Sequence, residues 1–342
     1  MKKLIYYISD IGRGHATRSV AIIRELQKKN IEVVMRNSNV VNFLKQSLPK
    51  AQIIEGLTDV GPSITSGGMF MDQVKTQQNV TKWIDEMNTF AEIEHERILK
   101  ISPDLIITDI SPMPLLTAKK VNKSSIAISN FSWYDVSKFL PEDKLEFLKN
   151  AYDNADLAIQ LPIGSDMEHF KKKKKVGMVA RIPVRSRHET RRRLGIGDDD
   201  HAVLFAMGGN EITIKCKTDK NVKILTMNAT VENVNDIINL SDYPEGQDVV
   251  AASDLVICKC GYGMASECLT NGIPFRYFVS NNPIEQIQAA YLKKHKFGTS
   301  ISDEELKELD LTCNSLNSIP PIIKEPLGTD QVIEYISEFL RN

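Results

Sequence analysis

A histidine and two glycines lie together in the first loop of the chain, where a base could act on a bound molecule. The loop reads Asp10-Ile11-Gly12-Arg13-Gly14-His15-Ala16-Thr17-Arg18 and follows the apolar run Leu4–Ser9. Glycines between a strand and a helix let the backbone approach a ligand closely, and the beginning of the helix offers free N–H groups. An imidazole at the end of a first strand suits a general base near neutral pH. An ordinary surface histidine is the simpler alternative.

A carboxylate follows another predicted strand of the N-terminal half. Asp109 comes directly after the apolar run Leu105–Thr108. Because ligands bind at the carboxyl ends of parallel strands, this carboxylate could accept a hydrogen bond from the imidazole and stabilise its protonated form. Asp109 could equally be the N-cap of the next helix, since Ser111-Pro112 follows. The sequence leaves both interpretations open.

A second glycine loop occurs in the C-terminal half, within Lys259–Glu267. Gly261 and Gly263 follow the predicted strand Leu255–Ile257 and open a helix, so their amides could bind phosphate oxygens with help from Lys259. Glu267 is expected just inside that helix, where a carboxylate can bind ribose hydroxyls. The pattern G-x-x-x-x-G-K-[ST] of a P-loop is absent. An ordinary strand-to-helix turn with an acid in its first turn is the alternative.

Two common ligand classes fit the sequence less well. A dinucleotide fingerprint would need glycine at Thr17, and the second strand ends in Met35-Arg36-Asn37 without the acid that binds ribose. Cys258, Cys260 and Cys268 could suggest a metal, but the C-x-C pair lies on or beside a predicted strand with no histidine nearby. Packed thiols are therefore expected there, and no metal site.

Composition limits the class of protein. The 342 residues correspond to about two domains. Hydrophobic residues make up 42% and the formal net charge is -1, which argues against a disordered chain and against nucleic-acid binding by bulk positive charge. No apolar run approaches the roughly 18–20 residues of a membrane span. The five cysteines, an odd number, favour a reducing compartment, so a cytoplasmic protein is expected.

Strand and helix patterns alternate in both halves, which predicts βαβ units and parallel sheets. A long helix is predicted over about Asp72–Lys100, although Glu94 interrupts its apolar face. A second α/β pattern begins near Ala202, and the stretch 210–222 forms no convincing amphipathic helix. The predicted domains are residues 1–170 and 171–328, followed by an amphipathic helix at 329–342. The five lysines Lys171–Lys175 are expected to be a solvated linker or helix face, with contact to an anionic lipid surface or an acidic partner as alternatives.

Four stretches together resemble the nucleotide-sugar glycosyltransferases of the GT-B fold. They are Gly12–Arg18, Pro103–Asp109, Asn130–Trp133 and Asp254–Glu267, the last continued by Leu269, Gly272-Ile273-Pro274 and Glu285-Gln286. The sequence is similar to the family of the lipid-linked N-acetylglucosaminyltransferase of cell-wall synthesis. It is also similar to glycosyltransferase-like proteins related to the N-terminal part of arabinose kinase. The resemblance implies an α/β fold of two facing Rossmann-like domains, with parallel sheets and a cleft between them.

The resemblance also implies roles for individual residues. It implies that His15 deprotonates an acceptor hydroxyl and that Asp109 orients His15, in an inverting displacement that needs no metal and no cofactor. Gly12, Gly14 and Arg18 would form a loop that meets phosphate or acceptor. The donor-binding residues implied for the C-terminal domain are Gly208, Gly209, Lys259, Gly261, Gly263, Ser266, Glu267, Glu285 and Gln286.

The implied donor is a nucleotide-sugar, with a UDP-sugar as the first choice. The acceptor is unknown, either lipid-linked or a small glycoside, and peripheral membrane contact is an extension of that idea; no nucleic-acid partner is expected. The alternatives are a nucleotide-sugar hydrolase or epimerase on the same fold and a non-catalytic nucleotide-sugar-binding protein. Met264 in place of a small hydroxyl residue and the short segment after Gly209 favour the non-catalytic alternative. Cys260 in place of a common proline is a further departure from the family pattern.

Overall fold

The computed structural model describes residues 1–65, 70–208, 213–227, 229–234, 236–241 and 243–341. The chain forms two compact units. The first consists of Met1–Ser63, Asp72–Val179 and Leu327–Asn342, and the second of Ile64–Met71 and Ala180–Pro326. Each unit is built on its own parallel sheet, which confirms the predicted α/β class.

Strands and helices alternate through the first unit, as the sequence pattern predicts. In chain order they are β1 (Lys3–Tyr7), α1 (Gly12–Lys28), β2 (Glu32–Asn37), α2 (Val41–Ser47), β3 (Gln52–Glu55), α3 (Gln73–Ile101), β4 (Leu105–Thr108), α4 (Met113–Lys120), β5 (Ser125–Ser129), α5 (Trp133–Val136), α6 (Glu142–Tyr152), β6 (Leu157–Gln160) and β7 (Lys173–Lys175). Asp72 is the N-cap of the long helix α3 and accepts a hydrogen bond from the Lys75 N–H group.

In the sheet of the first unit, the strand order reverses between β1 and β4. Its order is β3-β2-β1-β4-β5-β6-β7, so the chain builds outward first on one side of β1 and then on the other. Tyr7 pairs with Thr108, so the loops after β1 and β4 begin at the same level of the sheet. Because these loops diverge to opposite sides, they leave a crevice at the carboxyl ends of the two strands, which is where α/β folds bind ligands.

The second unit also has a main parallel sheet whose strand order reverses once, and it has a small additional sheet. Its elements are α7 (Arg187–Arg193), β8 (His201–Ala206), β9 (Thr213–Thr218), β10 (Val222–Met227), β11 (Thr230–Glu232), β12 (Ile237–Asn239), α8 (Gly246–Ala252), β13 (Leu255–Lys259), α9 (Tyr262–Asn271), β14 (Phe275–Phe278), α10 (Pro283–His295), β15 (Thr299–Ile301), α11 (Asp303–Lys307), β16 (Glu308–Leu311) and α12 (Cys313–Asn317). The main sheet has the order β12-β10-β8-β13-β14-β15, which reverses between β8 and β13.

A small parallel sheet, β11-β9-β16, covers one face of the main sheet in the second unit. Alternate residues of β9, Ile214 and Cys216, are buried and join a core that includes Phe205 and Ile257, whereas Lys215 and Lys217 are exposed. This alternation has the period of a strand and not of a helix. It explains why the segment after Gly209 shows no amphipathic helix: a strand connects β8 to β10 at that position.

The last helix, α13 (Thr329–Arg341), belongs to the first unit. Val332, Ile333, Ile336 and Leu340 form its buried face, and the helix contacts α1. Apolar residues at these spacings predict an amphipathic helix, and the structure confirms it. In the described part of the chain, no helix combines the length and apolar character required to cross a bilayer.

The lysine run corrects one expectation from the sequence. Lys173–Lys175 form the edge strand β7, paired with β6, and not a linker or helix face. An edge strand has one unpaired side, and lysines are well suited to it because their charge discourages pairing with another chain. Carboxylates accompany the run: Lys171 lies 2.8 Å from Asp153 and Lys175 lies 3.8 Å from Asp166. Contact of this edge with an anionic membrane stays a prediction.

Glu94 interrupts the apolar face of α3 because it neutralises buried arginine. It is 2% exposed, and its carboxylate pairs with Arg36 of β2 and with Arg97 one turn along the helix. The Tyr7 hydroxyl also donates to it at 3.0 Å. A dinucleotide-binding protein would have an acidic residue at the end of this strand, where this chain has Arg36. The pairing with Glu94 gives Arg36 a structural role instead.

We expect Glu94→Ala to lower the free energy of unfolding by about 3–5 kcal/mol, because it leaves the Arg36 charge buried without its carboxylate. Urea denaturation followed by circular dichroism measures the change. Glu92→Ala on the same helix is the matched control, since Glu92 pairs with Lys120 at the exposed surface and its loss should leave stability unchanged. Equal stability of Glu94→Ala and the wild type would contradict the structural role.

Candidate functional site

Asp10 fixes the loop that follows β1. One of its carboxylate oxygens accepts hydrogen bonds from the Ser38 and Asn39 N–H groups at 2.7 and 3.0 Å. The other accepts from the Thr58 N–H group at 2.8 Å, so a single side chain ties together the loops after β1, β2 and β3. Gly12 then begins α1 with φ = 62°, a left-handed conformation that glycine adopts without strain. These hydrogen bonds therefore hold the predicted loop in place at the carboxyl end of β1.

His15 and Asp109 meet at the crevice between β1 and β4. His15 lies near the beginning of α1, and its Nδ1 is 3.1 Å from Oδ1 of Asp109. Their side chains are 8% and 1% exposed. The alternative interpretation of Asp109 as an N-cap is wrong, because Pro112 occupies the N-cap position of α4. A buried carboxylate on Nδ1 can orient an imidazole so that its other nitrogen accepts a proton.

Arg18 completes this group from the next turn of α1. Its Nε donates to Oδ2 of Asp109 at 2.9 Å, and its Nη2 contacts Oδ1 of the same carboxylate and lies 2.7 Å from Nδ1 of His15. Its Nη1 donates to the Asn130 side-chain oxygen at 2.5 Å. Only 2% of Arg18 is exposed, so its guanidinium faces the buried carboxylate and not the solvent side of the loop.

The charges in this cluster favour a neutral histidine and an ionised aspartate. Burial and the positive charge of Arg18 lower the pKa of His15, and the Asp109 carboxylate opposes them with a smaller effect. Burial disfavours the charged form of Asp109, yet Arg18 and His15 together hold the pKa of Asp109 below its usual value. At neutral pH, His15 is therefore uncharged, which is the form that can accept a proton.

Residues that follow β5 form another side of the cluster. Asn130 comes directly after that strand, and its side-chain amide donates to the Ile163 carbonyl oxygen at 2.6 Å while its oxygen accepts from Arg18. The Phe131 ring contacts the His15 ring edge-on, with centroids 5.9 Å apart. Apolar contact on the imidazole and a fixed acceptor for Arg18 limit how far either side chain can turn.

The second glycine loop lies at the corresponding position of the second unit. Gly208 follows β8 with φ = 67°, and a Cβ placed on it would be 4.0 Å from Cδ of Lys259, at the end of β13. Gly261 is the N-cap of α9 in extended backbone conformation. The structure thus brings Gly208, Lys259 and Gly261 together where the strand order reverses. Gly209 lies outside the described residues.

Glu267 is buried in α9 and holds Arg181. Its Oε1 accepts a hydrogen bond from Arg181 Nε at 2.8 Å, and both side chains are nearly inaccessible. Its second carboxylate oxygen, Oε2, is buried and accepts no hydrogen bond within the described part of the protein. A buried acceptor left without a donor is costly, and a ligand hydroxyl can satisfy it only once the side chains that cover it move apart.

The remaining predicted donor residues differ in exposure. Glu285 is buried: its Oε1 lies 2.8 Å from Nζ of Lys259, and its Oε2 accepts from the Ser280 N–H group. Gln286, the next residue of α10, is exposed. The Ser266 hydroxyl donates to the Gly263 carbonyl oxygen at 3.1 Å within α9. At the first loop, Gly12 is exposed and Gly14 is half-buried.

Sequence reasoning missed three residues of these sites. Asn130 could have been found, since it ends an apolar run as Asp109 does. Arg181 is an isolated charge in the apolar stretch 176–184, a weaker signal. Asp59 carries no local signal, yet it is fully buried and accepts hydrogen bonds from the Ser9 hydroxyl and the Asp10 N–H group. Burial raises the pKa of Asp59 to about 7, and the neighbouring Asp10 charge adds to that rise.

The cysteines of the second loop are packed thiols, as expected. Cys258, Cys260 and Cys268 are free and buried, and burial raises the pKa of each thiol, that of Cys258 to about 12. A protonated thiol is a poor metal ligand and a poor nucleophile. Across the residues that the structure describes, no three His, Cys, Asp or Glu side chains are grouped to hold a metal ion.

The chain is similar to known glycosyltransferases in part of its sequence and in its fold. Residues 2–162, which contain the His15 cluster, match the family model described as glycosyl transferase family 1. L-arabinokinase of Arabidopsis thaliana is 26% identical over 285 residues, covering 79% of this chain. The aligned part is 27% of arabinokinase, so this chain spans little more than a quarter of that relative.

Solved structures show the same fold over nearly the whole chain. The calicheamicin glycosyltransferase CalG4 is 13% identical with a TM-score of 0.56, covering 90% of this chain and 87% of its own. Arabidopsis thaliana UGT89C1 in complex with UDP is 12% identical with a TM-score of 0.58, covering 99% and 94%. The glycosyltransferase SsfS6 of Streptomyces sp. SF2575 gives 11% and 0.54, covering 88% of both chains. The chain has the GT-B fold, and the resemblance seen in its sequence is confirmed.

Asp59 predicts a pH dependence of stability. The folded protein keeps a proton on this carboxyl up to about pH 7, whereas the unfolded chain loses it near the ordinary value of 3.8. The folded state therefore binds more protons between these limits, and this contribution to stability is lost as the pH rises. Relative to Asp59→Asn, the wild type should lose up to ~1.4 kcal/mol per pH unit between about pH 4 and 7. Urea unfolding of both proteins at several pH values measures this, and a constant difference would contradict it.

Proposed function

We propose that the chain is an inverting glycosyltransferase that moves a sugar from a nucleotide-sugar, with a UDP-sugar as the first candidate, to an acceptor hydroxyl. The observation that carries this proposal is the buried pair of His15 and Asp109 at the crevice of the first unit, 3.1 Å apart. A neutral imidazole with its Nδ1 held by a carboxylate is suited to remove a proton from a hydroxyl group.

The proposed reaction is a single displacement at the anomeric carbon. The acceptor oxygen forms a bond to that carbon as its proton passes to Nε2 of His15. The bond between the anomeric carbon and the phosphate oxygen breaks, and both of its electrons leave with the nucleoside diphosphate. Attack opposite the leaving group inverts the configuration. The imidazolium that forms is stabilised by Asp109, which keeps its negative charge throughout because its pKa is held low.

The second unit is proposed to hold the donor. The diphosphate would lie against the amides that begin α9 at Gly261 and Gly263 and against Gly208, with the positive charge of Lys259 nearby. These groups would stabilise the charge that develops on the leaving diphosphate without a metal ion. Glu267 supports a ribose contact, because its Oε2 is buried and lacks a donor while Arg181 fixes the other oxygen.

The sugar end of the donor is assigned to α10. Gln286 presents an exposed side chain that can bind sugar hydroxyls, and Glu285 holds Lys259 from the same turn. Structural relatives of this chain have been solved with this class of donor or with its nucleotide. UGT89C1 has been solved with UDP and with UDP-L-rhamnose, and SsfS6 with thymidine diphosphate. UGT89C1 has also been solved with quercetin, a small hydroxylated molecule. We therefore propose a small hydroxyl-bearing acceptor.

We expect His15→Ala to lower turnover about 10²–10⁴-fold and to leave UDP binding unchanged, since the imidazole acts on the acceptor proton and not on the nucleotide. Release of UDP from UDP-sugars in the presence of hydroxylated acceptors measures turnover, and titration calorimetry measures binding. His188→Ala is the control, because His188 is an exposed histidine of α7. Turnover that survives in His15→Ala would exclude it as the base. Wild-type binding of a nucleotide-sugar with no turnover would favour the non-catalytic binding protein.

We expect Glu267→Ala to weaken UDP binding at least about tenfold, because a charge-assisted hydrogen bond from ribose to Oε2 is lost. Glu304→Ala, which removes an exposed acid from α11 of the same unit, should bind UDP like the wild type. Circular dichroism checks that both variants fold. Unchanged affinity in a folded Glu267→Ala would place the nucleotide elsewhere.

A further inference from the structure

Arg18 contacts both members of the proposed catalytic pair. Its guanidinium binds the Asp109 carboxylate through two nitrogens, and one of these, Nη2, lies 2.7 Å from Nδ1 of His15. Arg18 and His15 are three residues apart on α1, so both side chains point from one face of that helix toward the carboxylate. Asn130 holds the outer nitrogen of the guanidinium at 2.5 Å.

Nδ1 of His15 therefore has two neighbours, Asp109 and Arg18, which favour opposite protonation states of this nitrogen. A protonated Nδ1 donates to Asp109 at 3.1 Å, whereas an unprotonated Nδ1 accepts from Arg18 at 2.7 Å. The first arrangement leaves Nε2 free to accept a proton, and the second places the proton on Nε2. The position of one guanidinium thus bears directly on which nitrogen of His15 can act as a base.

The guanidinium also changes the electrostatics of the pair. A carboxylate alone would stabilise an imidazolium and favour a histidine that is already charged before reaction. Here the positive charge of Arg18 compensates the Asp109 charge inside the protein, where the two side chains are 2% and 1% exposed. The balance of burial and these two charges lowers the pKa of His15.

The elements packed around Asp109 carry further titratable groups, and the Asp135 and Asp59 carboxylates act with Asp109 on the phenol of Tyr152. Among the described residues there, Tyr6 of β1 and Tyr152 of α6 are phenols that sense the Asp109 charge, and burial raises the pKa of both far above neutrality. Ser19 of α1 places its neutral hydroxyl 3.4 Å from Asp109, and Ser129 of β5 places its own 3.5 Å from Arg18.

We propose that Arg18 is a positioning residue for His15: its guanidinium compensates the Asp109 charge, so the imidazole stays neutral, with its proton on Nδ1 toward Asp109, until an acceptor hydroxyl gives up its proton to Nε2. This role differs from the contact with phosphate or acceptor that the family resemblance implies for Arg18. The value of a neutral imidazole rests on the proposed glycosyl transfer. The state of the His15 ring, however, can be observed without any turnover.

The test is a pH titration of the His15 ring by ¹⁵N and ¹H NMR in the full chain, which reports both its pKa and its tautomer. In the wild type, His15 should titrate below its ordinary value of 6.5. In Arg18→Met, which keeps an unbranched side chain and removes the charged guanidinium, the His15 pKa should rise by about 1 unit or more. The matched control is Arg24→Met on the same helix, whose guanidinium donates to the Ser47 carbonyl oxygen, and it should titrate like the wild type.

The wild-type titration keeps the test decisive even if Arg18→Met fails to fold. A wild-type His15 pKa at or above 6.5 would overturn the proposal by itself. In a folded Arg18→Met, an unchanged pKa and tautomer would reduce Arg18 to a structural residue and overturn it as well. Arg18→Lys retains the positive charge, so its pKa should stay nearer to the wild-type value than that of Arg18→Met.

Turnover gives a second readout once a donor and an acceptor are known. The acidic limb of the rate profile reports protonation of the base, so it should move to higher pH in Arg18→Met, in step with the NMR pKa. A limb that stays in place while the NMR pKa moves would show that His15 is not the base, which is failure of the proposed function and not of the role of Arg18. Loss of rate with no shift in either readout would overturn the role of Arg18.

Discussion

A buried negative charge is the constraint around which the first unit is organised. The Asp109 carboxylate is 1% exposed, and an isolated charge at such depth would cost several kcal/mol. Arg18, His15 and the Ser19 hydroxyl, all from α1, lie against it, and Asn130 after β5 holds the arginine in turn. The segments that follow β1, β4 and β5 therefore all depend on this one carboxylate. A charge that is compensated by arginine leaves its histidine neighbour neutral, and a neutral histidine is what a general base requires.

The two units place different chemistry at the same topological position. In each sheet the strand order reverses between the first strand and the fourth, and the loops after those strands carry the candidate residues. The first unit places His15 and Asp109 there, and the second places Gly208 and Gly261. Backbone amides and a nearby lysine suit phosphate, whereas an imidazole and a carboxylate suit proton transfer. The proposed division between donor and base follows from this difference in side chains on a shared framework.

The sequence predicts most of the framework and the contact between His15 and Asp109, for physical reasons. Apolar runs followed by polar loops indicate the parallel strands, and Asp72 at the beginning of a helical pattern gives the start of α3 within one residue. The lysine strand β7 is missed because charged residues carry no strand signal, and the strand β9 because its alternation is short. Glu94 and Arg18 show the main limit: both are polar residues whose role depends on a partner distant in sequence, and spacing alone does not reveal such partners.

A crystal structure of the chain with bound UDP would show whether the nucleotide and the proposed base lie in different units. We expect diphosphate density against the amides after β8 and β13, with the ribose hydroxyls on Glu267 and no ordered nucleotide on the His15 loop. Diphosphate bound to the loop after β1, with Glu267 still lacking a donor, would contradict it.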